Sequence, residues 1–214
     1  MDPKTGHDVL RAEFRGKIPD DVPLIIGDAA HNLHCGLDLM YYELVSLVGA
    51  TQSKHTKFPF GQHRDELIGT VNGGEMEVAD ARIRDFIIDG IKPYRGGNDA
   101  LYGLHNLDIS DKHHLIIPIV QVAEHRVKQG MPLYPGQQFV IQPSRIVETS
   151  TGGRESVSVP EGGYVQPYDK PTLEVLFQDD SPFGRKAVVE TLSELSLMLD
   201  KIIDDTMTAY LSTL

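Results

Sequence analysis

The chain predicts an α+β fold, a helical bundle of about four helices with a small antiparallel sheet on one side, in a single domain over residues 1–214. Three observations lead there. Apolar residues recur at three- and four-residue steps across a helical half near 24–114; the stretch 115–178 breaks into short apolar runs between Gly- and Pro-rich turns; and a long helical period returns at 182–213. The last helix is therefore expected back on the bundle.

Taken in order, residues 8–14 read as a short strand, and Pro19-Asp20-Asp21-Val22-Pro23 ends it. Ile26, Ala29, Ala30, Leu33, Leu37, Met40, Leu44 and Val48 then form one apolar stripe of a first helix, near 24–48, stopped by Gly49. Residues 50–74 read as a loop around Lys57-Phe58-Pro59-Phe60, with a single helical turn at 64–68. A second helix over 77–91 carries Ala81, Ile83, Phe86, Ile87 and Ile91 and ends at Pro93 and Gly96-Gly97. Asn98 or Asp99 caps a third, near 98–114, with Leu101, Leu104 and Leu107 on its apolar face. The run Leu115-Ile116-Ile117-Pro118-Ile119-Val120 is a strand at an edge or a bulge, because Pro118 has no N–H for a ladder. Further strands at 138–142, 145–148, 155–159 and 172–177 suggest an antiparallel meander. Leu173-Glu174-Val175-Leu176-Phe177-Gln178 resembles the recognition core of a viral protease used to remove expression tags, but its place far inside the chain reads as a native strand. Ser181-Pro182 opens the final helix, 182–213, whose stripe is Val188, Leu192, Leu195, Leu199, Ile202 and Tyr210.

Charge narrows the function classes. Twenty basic against 31 acidic residues give −11, and the segment from 169 to 214, with nine acidic and four basic residues, supplies −5 of it. Such a surface disfavours nucleic acid as a partner without excluding a local basic site. No run reaches the length of a membrane span, and Met1-Asp2-Pro3-Lys4 is followed by no apolar signal region, so no membrane association is expected. The one cysteine, Cys35, cannot form an internal disulfide, which suits a cytoplasmic protein.

Two helical faces concentrate polar residues. On the first helix a 100° step brings Asp28, His31, Cys35, Asp38 and Tyr42 together opposite the apolar stripe, with His34 flanking them. On the third, Asp108 and Asp111 fall among Leu101, Leu104 and Leu115, with His105 and Lys112 at the margin. Carboxylates inside an apolar stripe need hydrogen-bond partners, because an unpaired buried charge costs several kcal/mol. His31, Asn32 and His34, reached across an antiparallel packing of the two helices, are the expected donors. The candidate inter-helix site is accordingly Asp28, His31, Asn32, His34, Asp38, His105, Asp108, Asp111, Lys112 and His113. Asp28-x-x-His31 and Asp111-x-x-His114 have the carboxylate–imidazole spacing found in di-iron bundles, but the further glutamates of such sites have no placed counterpart, so neither metal nor cofactor is assigned. Cys35 has His31 one turn before it as a base, and no Gly-x-Ser-x-Gly elbow or phosphate-binding glycine loop occurs.

Four blocks, Gly27-Asp28-Ala29-Ala30-His31-Asn32-Leu33-His34-Cys35-Gly36-Leu37-Asp38, Phe58-Pro59, Lys92-Pro93-Tyr94 and Leu104-His105-Asn106-Leu107-Asp108-Ile109-Ser110-Asp111-Lys112-His113, resemble those of an uncharacterised group of bacterial proteins. That group is marked by Gly-Asp-x-x-His-Asn-Leu-Arg-x-x-Leu-Asp-His and by Leu-x-x-Leu-x-x-x-Asp-Lys-His-Arg. Its Arg and the His five positions on are in turn similar to the signature of the HEPN ribonucleases and their non-catalytic relatives. The resemblance covers roughly the first half of the chain and implies that its polar residues matter, without supplying a reaction. Here the two signature positions are His34 and Leu39, and the final Arg is His114. The fixed charge that an arginine would place on a phosphate is missing.

The expectation drawn from these residues is a cytoplasmic binding or regulatory module with a small ligand or a protein as its partner, a homodimer arrangement being common for short bundles. The alternatives are a HEPN-like metal-independent ribonuclease and a metal-dependent enzyme using the Asp/His cluster.

Overall fold

The computed structural model describes residues 8–12, 18–113, 118–130, 145–148, 155–159, 164–167 and 172–214. Contacts gather the chain into two compact units, Met1–Pro19 with Pro118–Leu176 and Asp20–Ile117 with Phe177–Leu214.

The first unit holds the strands. β1 (Asp8–Ala12) runs antiparallel to β4 (Glu155–Val159), Asp8 opposite Val159. The long β2 (Ile119–Gly130) pairs antiparallel with β6 (Thr172–Leu176) along its first half and lies between β3 (Arg145–Glu148) and β5 (Tyr164–Pro167) along its second. The register of β2 against β6 shifts between Val122 and Glu124. The expected strand at 138–142 lies outside the described residues.

The second unit carries α1 (Val22–Leu47), α2 (Arg64–Gly73), a 3-10 turn (Glu75–Val78), α3 (Ala81–Asp85), a π-helical turn (Phe86–Ile91), α4 (Asp99–His113) and α5 (Val188–Leu211). The expected α+β fold class is overturned here. The unit is mostly helical; its described residues form no sheet, and Gly61 and Tyr94 make an isolated parallel bridge. The meander is corrected as well, because β2 takes three partners while β4 leaves the chain order to pair with β1. Short apolar runs between turns announce strands, but their partners are chosen by contacts far apart in sequence.

Local chemistry explains the helix boundaries that sequence periodicity misplaced. A helix continuous over 77–91 does not form. Ala79 is extended, Asp80 starts α3 by accepting a hydrogen bond from the Arg82 amide at 2.8 Å, and the following turn widens to π. Gly90 suits that turn, since a Cβ there would lie 2.7 Å from Cδ2 of Phe86. Lys92, left-handed at φ 59°, then stops the chain before Pro93. Where one turn was expected at 64–68, α2 has ten residues, capped by Nδ1 of His63 accepting from the Glu66 amide at 3.2 Å. An imidazole is an unusual cap, which hid this start in the sequence. Asn98 caps α4 through a bond from the Leu101 amide at 3.0 Å. Residues 182–185 form a turn, so α5 begins at Val188 rather than at 182.

α1 packs against both α4 and α5. Its buried positions are Ile26, Gly27, Ala30, His34, Leu37, Tyr41, Leu44 and Val45, a stripe turned from the expected one so that His34 and Tyr41 replace Leu33 and Met40. Leu101, Leu104 and Leu107 of α4 and Leu195, Leu199 and Ile202 of α5 are buried with them. Burial in this core pushes the Tyr41 phenol above its ordinary ionisation range, with the Glu75 carboxylate adding to the effect.

Candidate functional site

α1 and α4 each contribute a polar edge to their shared packing, and the two edges meet. Asp108, 2% exposed, accepts a 2.7 Å hydrogen bond on Oδ1 from Nδ1 of His31, whose side chain is 49% exposed. The other carboxylate oxygen lies 3.7 Å from Nδ1 of the buried His34, which is also 3.8 Å from Oδ2 of Asp38. Nε2 of His34 and Nδ1 of His105 are 3.0 Å apart and share one hydrogen bond. We assign the His34 proton to Nδ1, which faces two carboxylates, so that Nε2 accepts from the Nδ1–H of His105.

The rings of Phe58 and Phe60, edge to face with centroids 5.3 Å apart, lie at the other end. Phe60 stacks on His105 with centroids 4.0 Å apart and planes at 11°, and on His34 at 5.6 Å. The second carboxylate oxygen of Asp38, Oδ1, accepts from the Phe58 amide at 3.0 Å and so ties the Lys57-Phe58-Pro59-Phe60 loop to α1. At the outer end, Nε2 of His31 lies 3.4 Å from Sγ of Cys35, one turn further along the same helix. The arrangement is thus a chain of polar groups, from a half-exposed imidazole and thiol to a carboxylate and two imidazoles between the helices.

Of the residues expected at the site, the structure brings together His31, His34, Asp38, His105 and Asp108. Asp28 and Asn32 are exposed on α1, and none of these contacts runs through them; of the expected donors His31, Asn32 and His34, it is His31 that hydrogen-bonds Asp108. Asp111, Lys112 and His113 occupy the last turn of α4, and their side chains, like all of His114, lie outside the described residues. Sequence reasoning left Phe58 and Phe60 out of the site, although the Phe-Pro block of the resembled group marks that loop. It noted the His31–Cys35 spacing without counting Cys35 as a member.

Among the described residues no group of three or more His, Cys, Asp or Glu side chains is placed to hold a metal ion, and no helix is long and apolar enough to cross a membrane. Chemically, Asp108 holds the His31 proton on Nδ1 and leaves Nε2 as the basic nitrogen, the condition for an imidazole to take a proton from a neighbour. No protein-family model, curated protein or solved structure matches this chain.

Proposed function

We propose that the protein is a cytoplasmic binding or regulatory module whose inter-helix His/Asp site receives a small polar ligand at its exposed edge. The observation behind this reading is the pairing of a half-exposed His31 with a fully buried Asp108. An exposed imidazole normally samples several orientations, and fixing one from below spends side-chain entropy ahead of any ligand. Preorganisation of this kind serves recognition. The free cysteine at the same edge suits a reducing compartment. Ligand-observed NMR with a fragment collection rich in hydrogen-bonding groups tests the reading. Fragments that bind the wild type and are lost on His31→Ala support it, and a collection that treats both proteins alike overturns it.

A second reading, metal-independent RNA cleavage by a HEPN-like site, is favoured by the oriented Nε2 of His31, which has the form of a general base. Against it stand His34 in the place of the signature arginine and the net charge of −11. Incubation with total RNA in EDTA separates the two. Intact RNA is expected, and cleavage lost in His31→Ala would make the nuclease the better account.

A further inference from the structure

Cys35, His31 and Asp108 stand in the order nucleophile, base and orienting carboxylate, drawn from two helices. The thiol is half-buried, so small reagents reach it. Sγ lies 3.4 Å from Nε2 of His31, and Nδ1 of the same ring lies 2.7 Å from the buried Asp108. With the Nδ1 proton held by Asp108, Nε2 is the nitrogen free to accept from the S–H. Once it has done so, the resulting imidazolium faces a carboxylate inside the protein.

We propose that Cys35 is a base-assisted thiol that undergoes exchange with low-molecular-weight disulfides. The reaction goes beyond ligand binding at the same edge and does not depend on it. The thiol proton passes to Nε2 of His31, and the sulfur lone pair forms a new S–S bond to one sulfur of the incoming disulfide. The old S–S bond breaks, its electron pair leaves with the departing sulfur, and that sulfur takes the proton back from His31 as a free thiol. Cys35 is oxidised and the disulfide is the oxidant, so atoms and electrons balance. Acyl transfer is the poorer fit for this triad. Cys35 sits inside α1, where the neighbouring amides bond within the helix and do not form an oxyanion hole.

The chain contains one cysteine, so the reaction reads a single site. The full-length protein is mixed with dipyridyl disulfide, a neutral probe, and release of the pyridine thione is followed across a range of pH. At about pH 7 wild type is expected to react on the order of tenfold faster than His31→Gln, since only a few per cent of an unassisted thiol is ionised there. The ratio should close towards one above about pH 9, where a thiol ionises without help. Wild type unfolded in urea should follow the slow profile, an arm that needs no variant to fold. Equal rates for wild type and His31→Gln at about pH 7 would overturn the proposal. So would a ratio that stays constant with pH, because that reports access to the sulfur and not proton transfer.

Discussion

Asp108 on α4 and His31 on α1, 77 positions apart in sequence, share a 2.7 Å hydrogen bond in which the acceptor is buried and the donor half-exposed. The asymmetry sets what each residue contributes. Removing the imidazole leaves a carboxylate still near His34, whereas removing the carboxylate takes from His31 its hydrogen-bond acceptor and from His34 a charge 3.7 Å away.

Asp108→Ala is therefore expected to lower stability by roughly 1.5 to 3 kcal/mol, the range for a hydrogen bond to a charged group. Asp28→Ala, on the exposed part of α1, should stay within about 0.5 kcal/mol. Urea unfolding midpoints compare the two. Equal midpoints would mean that Asp108 faces water.

Asp38 fastens a loop. Losing its bond to the Phe58 amide should cost roughly 1 to 2 kcal/mol in Asp38→Ala, and Asp38→Asn, which keeps an oxygen acceptor, should cost less. Hydrogen exchange at the Phe58 amide is the direct readout, faster in the alanine variant than in the asparagine one.

Two glycines in helix interiors should respond in opposite ways to alanine. A Cβ at Gly36 meets nothing within 4 Å, so Gly36→Ala should stabilise by about 0.5 to 1 kcal/mol through helix propensity alone. At Gly103 the added carbon would come 2.9 Å from Cζ of the buried Phe183. Overpacking of about 1 to 3 kcal/mol then outweighs the same propensity gain, and Gly103→Ala should melt lower than wild type.

The raised phenol of Tyr41 has a defined pH signature. Its folded pKa lies above the unfolded value of about 10, so the stability of the neutral form is fully present below that pH and is lost as pH rises past it. Tyr41→Phe has no proton to lose, and its unfolding midpoint should fall less steeply than that of wild type above about pH 10. Parallel alkaline limbs for the two proteins would show that Tyr41 does not ionise on unfolding.

Three helices of the second unit, α1, α4 and α5, were legible because their signals are local. Residues one turn apart repeat the apolar period of α1, α4 and α5, and Asn98 caps its own helix within three positions. The interruption of 77–91 was not legible. It depends on an extended Ala79 and a π turn, and the apolar spacing of Ile83, Ile87 and Ile91 fits a continuous helix equally well.

By itself the sequence determined that α1, α4 and α5 are helical, that strands follow α4, and that α1 and α4 carry the histidines and carboxylates. The tertiary structure alone decided that His34 faces inward, that His31 rather than Asn32 meets Asp108, that Phe60 stacks on His105, and that the strands belong to a unit of their own. The reason is geometric. Period and caps are fixed by neighbours within a turn, but each residue advances a helix face by about 100°, so which side chains meet across a packing depends on a rotation that only the packed core sets.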